Sequence, residues 1–266
     1  MPQRQLNIAL IPLDIKPLDS VANVEQALAR IASLPSPADL VVLPEMFSTG
    51  FTPDPAEAFK NAESPDGYAL TALAEAARLH RAAICGGYSA RLSDGRLYNQ
   101  GFFINPDDQS THFYNKRHLF RYGGEADIYT PGDKPSPIID FRGWHLRLSV
   151  CYDIRFPAWN RNRHNSYDIL VVPANWAHSR YYAWRQLLIA RAIENQCYVL
   201  GCNREGADTY GQYNRGDSLA LDYWGKEIGQ LHPDGTVTAT LDGDRIRRDR
   251  QRFDVWRDAD NFELLL

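Results

Sequence analysis

A layered α/β fold with mixed strand pairing is what this sequence predicts. Three observations point there. Short β-branched runs alternate with segments of helical periodicity in the first part of the chain, strand-like runs dominate its later part, and Gly- and Asp-rich turns lie between them. The 266 residues are 44% hydrophobic and 23% charged, close to ordinary globular composition, which excludes disordered, collagenous and coiled-coil classes. No fixed-period repeat and no low-complexity linker divides the chain. One domain over residues 1–266, with a charged C-terminal arm at about 244–266, is therefore the expected organisation.

The elements follow in order. Runs 6–13 and 39–43 read as buried strands, and 19–33 between them repeats Val21, Val24, Leu28 and Ile31 at helical spacing. A second helix is expected over about 67–80, with Leu70, Leu73, Ala74 and Ala77 on one side, followed by a strand at 82–89. Runs 97–104 and 111–114 flank the turn Asn105-Pro106-Asp107, and 144–150 alternates Trp144, Leu146, Leu148 and Val150, which predicts one buried face. A short strand at 169–172 precedes an amphipathic helix at 184–195. Strands at 198–202, 218–222 and 236–241 complete the pattern. The charged tail contains Phe253, Val255 and Trp256, which suggests an arm packed on something.

Charge narrows the partners. Lys and Arg number 29 against 33 Asp and Glu, a net of −4, so the basic footprint of a nucleic-acid binder is missing. No apolar run approaches the roughly 18 residues of a membrane span, and Pro12, Asp14 and Lys16 break the first apolar run too early for a secretory leader. Four cysteines without Cys-x-x-Cys spacing fit a reduced, cytoplasmic protein.

Common catalytic signatures fail: there is no Gly-x-Ser-x-Gly elbow, no Walker loop and no His-Glu-x-x-His helix. Three other segments place polar residues at the ends of expected strands, where α/β proteins form pockets. Glu45 in Leu43-Pro44-Glu45 directly follows a strand, where partial burial favours proton exchange near neutral pH; a surface-loop Glu is the other reading. In Tyr114-Asn115-Lys116-Arg117-His118, alternation puts Tyr114, Lys116 and His118 on one face. There Lys116 can pair with carboxylates or clamp an oxyanion, or it can simply protect a strand edge. Cys151 in Ser149-Val150-Cys151-Tyr152-Asp153 sits where a strand turns into a short helical segment. That placement suits a nucleophile, although a buried cysteine is more often inert.

Taken in order, Leu-Pro-Glu, Lys-x-His-Leu-Phe and Cys-Tyr-Asp-x-Arg-Phe-Pro resemble the nitrilase, or carbon–nitrogen hydrolase, superfamily. The resemblance extends to Pro173-Ala174-Asn175-Trp176, to 190–196 and to Gly201-Cys202-Asn203-Arg204. It implies an α-β-β-α sandwich of two mixed sheets flanked by helices, and a homodimer joined through outer helices. The 184–195 helix and the charged tail are the candidate interface elements. It also implies a second Glu after the Lys motif, for which Glu125 in Gly123-Gly124-Glu125-Ala126-Asp127 is the match and Asp127 the competitor.

The implied chemistry is amide hydrolysis through a thioester on Cys151. Glu45 moves protons, Lys116 and the Tyr152 backbone N–H hold the oxyanion, Glu125 orients Lys116 or the amide, and neither a metal nor an organic cofactor is required. Within the superfamily, 44–51, 116–120 and 174–176 look most like the ω-amidase branch, which implies a small-molecule 2-oxo acid amide (2-oxoglutaramate or 2-oxosuccinamate) as substrate. Arg155 is the expected partner of the substrate carboxylate, with bracing of the nucleophile turn through Asp153 or another acid as its other role. Phe47, Phe51 and Trp176 are expected pocket walls, or ordinary core. Asn115 stands where relatives often carry Asp, on the face away from Lys116. The alternatives are a hydrolase of carbamoyl or nitrile substrates, a catalytically silent scaffold, and a papain-like Cys151–His118 pair.

Overall fold

The computed structural model describes residues 5–264 of the chain, so residues 1–4 and 265–266 of the expected domain lie outside the described residues. Its strands are β1 (Gln5–Leu10), β2 (Leu40–Val42), β3 (Ala83–Arg91), β4 (Leu97–Ile104), β5 (Thr111–Asn115), β6 (Ile139–Phe141), β7 (Trp144–Leu148), β8 (Ile169–Ala174), β9 (Tyr198–Asn203), β10 (Gly206–Asp208), β11 (Gly211–Tyr213), β12 (Leu219–Leu221), β13 (Gln230–Leu231) and β14 (Val237–Asp242). The helices are α1 (Ser20–Ala32), α2 (Pro55–Asn61), α3 (Tyr68–His80), α4 (Pro157–Asn160), α5 (Tyr181–Asn195) and α6 (Gly243–Arg252).

Two mixed sheets form the sandwich. One has the order β13-β14-β1-β2-β3-β4-β5 and the other β12-β9-β8-β7-β6, with β10 and β11 forming a separate hairpin. Pairing is parallel for β1–β2 and β2–β3 in the first sheet and for β7–β8 and β8–β9 in the second, and antiparallel toward the edges.

Side-chain alternation divides the apolar residues between layers. On β2, Leu40 and Val42 enter the core between the sheets, while Val41, and Leu43 just past the strand, face outward against α1 and α3. The outer layer is filled by Val24, Ala27 and Ile31 of α1 and by Leu70, Leu73 and Ala77 of α3. Asp19 caps α1 by accepting the Ala22 N–H, which is why that helix starts where the sequence places it. On the other side, α5 lays Trp184 and Leu188 over β9 so closely that a Cβ at Gly201 would stand 2.6 Å from Leu188.

The sequence reading differs from the fold in identifiable places. The first strand pairs only to Leu10, and α2, β6 and the β10–β11 hairpin are additional elements, α2 being marked by its Asp54 cap and first-turn Pro55. The charged tail, read as an arm packed on something and as a candidate interface element, contributes α6, which packs one face on its own sandwich. Ile246 is buried, and Arg250 bonds Asp168 at 2.7 Å and the Gln196 carbonyl at 2.9 Å. A buried guanidinium needs such partners, and α6 finds them within the chain.

Candidate active site

Glu45, Lys116 and Cys151 each lie just beyond a strand, after β2, β5 and β7 respectively. All three line one cleft of about 690 Å³, mouth included, together with Glu125, Tyr152, Arg155, Phe51 and Trp176.

Backbone conformation aims these groups. Cys151 has φ of 45° and Met46, next to Glu45, has φ of 48°, a left-handed region that side-chain-bearing residues seldom occupy. Gly87 of β3 lies against Glu45, and a Cβ there would come within 3.1 Å of the Glu45 Cα. Cys151 opens a short 3-10 turn (Cys151–Arg155), so the Tyr152 N–H belongs to a first turn that no intrahelical carbonyl reaches.

The acids and the ammonium are in direct contact. Lys116 Nζ donates to Glu45 Oε1 at 2.8 Å and to Glu125 Oε1 and Oε2 at 2.9 and 2.8 Å. Asn99 Nδ2 donates to Glu45 Oε1 at 2.6 Å and to Glu125 Oε1 at 2.7 Å. The backbone supplies two more donors, Asn175 N–H to Glu45 Oε2 at 2.9 Å and Phe120 N–H to Glu125 Oε2 at 2.7 Å. Asp127, the competing acid, is exposed, and Glu125 is the one buried against Lys116.

Electrostatics follow from this burial. Desolvation opposes the Lys116 charge, but Glu125 and Glu45 outweigh it and hold the ammonium well above its ordinary range. Burial raises Glu125, with Lys116 pulling the other way. Burial and then the Glu45 carboxylate push the Cys151 thiol well up, against the pull of Lys116 and the Asn175 amide. The sulfur is thus coupled to acid and ammonium through charge rather than through a direct hydrogen bond to either.

Behind the cleft, Asp153 is fully buried and organises both loops. Its Oδ1 accepts from the His118 backbone N–H at 2.9 Å and lies 2.8 Å from His118 Nδ1, while its Oδ2 accepts from the Tyr114 hydroxyl at 2.8 Å and the Val150 N–H at 3.1 Å. His118 is therefore committed to Asp153 and stacked on Phe156 at 3.7 Å, outside the cleft lining, which removes the papain-like Cys151–His118 pairing. Asn115 faces away from Lys116 as expected, accepting from Gln100 Nε2 at 2.6 Å.

The wall residues divide. Trp176 and Phe51 line the cleft, with Phe51 edge-on to Tyr210 at 5.3 Å. Phe47 does not: it is fully buried in the outer core, packed against Phe102 at 5.9 Å, because its N–H is tied to Gly87 and its side chain follows the outward face of the sheet. Arg155 lines the cleft over the Trp176 ring at 4.9 Å, and Asp153, its expected bracing partner, is occupied elsewhere. Sequence reasoning missed Asn99, Arg180, Tyr210 and Tyr213 in the lining. Asn99 had a visible signal, since a polar pair, Asn99-Gln100, interrupts an otherwise apolar run. The hairpin residues had none. Among the described residues no three His, Cys, Asp or Glu side chains cluster so as to hold a metal, and no helix is long and apolar enough to cross a membrane.

Comparison with known proteins places this geometry in context. The carbon-nitrogen hydrolase family model matches residues 4–251. The omega-amidase YafV of Escherichia coli (strain K12) is 37% identical over 261 residues, 97% of this chain and 98% of that protein. The 2-oxoglutaramate amidase of Bacillus subtilis (strain 168) is 31% identical over 254 residues, covering 94% and 96%. Among solved structures, XC1258 of Xanthomonas campestris, a superfamily protein with an arsenic adduct in its active site, superposes with a TM-score of 0.91 at 34% identity, covering 98% of this chain and all of that one.

Proposed function

The chain belongs to the carbon–nitrogen hydrolase family and is an amide hydrolase, and from that premise we propose that its substrate is the terminal amide of a small 2-oxo acid, 2-oxoglutaramate or 2-oxosuccinamate. The observation that carries the reading is the Glu45–Lys116–Glu125 cluster sharing one cleft with Cys151 and the guanidinium of Arg155.

In this reading the Cys151 sulfur attacks the amide carbon while its proton passes to Glu45. Lys116 Nζ and the Tyr152 N–H stabilise the negative oxygen of the tetrahedral intermediate. As the C–N bond breaks, Glu45 returns the proton to nitrogen and ammonia leaves, with the acyl group held as a thioester. Glu45 next takes a proton from water, whose oxygen bonds to the acyl carbon. The C–S bond breaks, and the proton restores the thiol. The sum is amide plus water to carboxylate and ammonium. Glu125 positions Lys116 throughout. Arg155 grips the distant carboxylate with a planar, two-pronged donor, while Trp176 and Phe51 wall the carbon chain.

A homodimer fits the surface. Tyr182 and Ile193 stand exposed on α5, and Trp224 and Phe253 stack with ring centroids 6.1 Å apart, so apolar groups remain outside the fold. Sedimentation at the monomer mass over a micromolar range would remove that part of the proposal. Four free cysteines favour a reducing compartment, the cytoplasm, which recovery of activity in the cytosolic fraction tests.

The substrate assignment is tested by measuring ammonia from 2-oxoglutaramate, 2-oxosuccinamate, N-carbamoyl amines and simple nitriles. Turnover of the oxo-amides above all others is expected. Silence toward them with turnover of a carbamoyl compound or nitrile would replace the assignment, and silence toward all would favour a binding protein.

A further inference from the structure

Asn99 is the third residue of β4, 1% exposed, and it sits in the floor of the cleft. Both hydrogens of its amide nitrogen are used on acids, one on Glu45 Oε1 and one on Glu125 Oε1. Lys116 Nζ bonds the same two oxygens, so donors and acceptors alternate around a ring of four atoms. The Lys116 backbone N–H also donates to the Asn99 carbonyl at 2.9 Å, which fixes the two residues to each other.

This ring distinguishes the two oxygens of Glu45. Oε1 already receives two donors, whereas Oε2 receives only the Asn175 N–H. That same amide also bears on the Cys151 sulfur, so sulfur and Oε2 are neighbours of one N–H. We propose that Asn99 is a positioning residue for the hydrolysis: it ties down Oε1 of Glu45 and Oε1 of Glu125 together, leaving Glu45 Oε2 as the oxygen that exchanges protons with Cys151 and the departing ammonia. The inference rests on Glu45 as the proton carrier and deepens that reading to a single atom.

The residue type follows from charge. Two carboxylates already share one ammonium, and Asn99 adds two donors without adding charge. A carboxylate at this position would set three acids around Lys116, and a second ammonium would compete for the lone pairs that Glu45 needs. The groups facing Glu45 are Lys116 beyond β5, Glu125 in the next loop, Cys151 beyond β7, and Tyr129, which pairs with Ser89 at 3.0 Å.

The experiment follows the carboxyl carbons of Glu45 and Glu125 by carbon-13 NMR across pH, with signals assigned by their absence from Glu45→Gln and Glu125→Gln, and pairs this with the pH profile of kcat/KM for ammonia release. In Asn99→Ala both carboxyl midpoints are expected to move up by about one pH unit, since each loses a donor to its charged form, and the acid limb of the rate profile moves with them. Asn99→Ser keeps one donor, so only one of the two carboxyls should move, and this variant serves if the alanine protein does not fold. Midpoints unchanged from wild type in either folded variant would overturn the proposal, as would a rate loss uniform across pH. Shifted midpoints in a protein that hydrolyses no 2-oxo amide would uphold the role of Asn99 and remove the substrate reading instead.

Discussion

The Tyr114 hydroxyl donates a 2.8 Å hydrogen bond to Asp153 Oδ2, and so ties the strand leading to Lys116 in one sheet to the turn that carries Cys151 after the other. Trp159 Nε1 donates to the same hydroxyl at 2.8 Å, which locks its direction. Asp153→Ala would leave the His118, Val150 and Tyr114 donors buried without an acceptor. A loss of at least about 3 kcal/mol in urea unfolding is expected, with the midpoint falling accordingly. A change within about 0.5 kcal/mol would show that the two loops are held in some other way.

Lys116→Met removes the cation between two buried carboxylates. The rate of ammonia release should fall by roughly 10²–10³, and stability by about 3–5 kcal/mol at neutral pH. The sign of its pH dependence is fixed by the raised folded-state value of Lys116. Its stabilising effect is fully present below the ordinary 10.5 and fades only as pH climbs through the higher folded value. The stability gap between wild type and Lys116→Met should therefore persist from neutral pH to about 10 and narrow only above it; a gap that already closes between pH 7 and 9 would count against this pairing.

Glu45→Gln separates two effects that usually travel together. After burial, the Glu45 charge is the next largest cause of the high Cys151 value, and Lys116 pulls the other way. Removing that charge should let the thiol ionise at lower pH, visible as thiolate absorbance in a pH titration. Amide turnover should nonetheless fall by about 10²–10⁴, because no group remains to carry the proton to ammonia. A thiol titration displaced upward would contradict the charge coupling described here.

Arg155→Leu should raise KM far more than it lowers kcat, with kcat/KM for the oxo-amide down about 10- to 100-fold, the worth of a charge-assisted bond to a carboxylate. Steady-state kinetics with 2-oxoglutaramate and with an uncharged short amide provide the check. Equal losses on both substrates would assign the carboxylate to another cleft cation, with Arg180 the next to be tested.

The legibility of this protein varied with the kind of signal. Strands such as β4, recognised with its full bounds Leu97–Ile104, announce themselves through largely apolar runs, and α1 through its helical spacing. Glu45, Lys116, Glu125 and Cys151 were legible because their local motifs carry a family resemblance, and the fold brings them into one cleft. Phe47 and Phe51 could not be separated by sequence. Both are aromatics just past the same strand, and the turn at Met46, with its positive φ, sends one into the core and the other to the cleft. Tyr210 and Tyr213 reach the site from the β10–β11 hairpin, where the Asp208 carboxylate accepts from the Tyr210 backbone N–H at 2.8 Å and the Tyr213 hydroxyl at 3.1 Å and is itself paired with Arg204 at 2.8 Å. Such long-range placement leaves no periodic trace in the sequence.

The thioester on Cys151 is the step on which the chemistry turns, and rapid acid quenching followed by intact-mass measurement during turnover of 2-oxoglutaramate tests it most directly. The expected result is a transient mass increase equal to the acyl group, mapped to Cys151 and absent from Cys151→Ala, which releases no ammonia. An unmodified Cys151 at every quench time, with ammonia release surviving in Cys151→Ala, would contradict it.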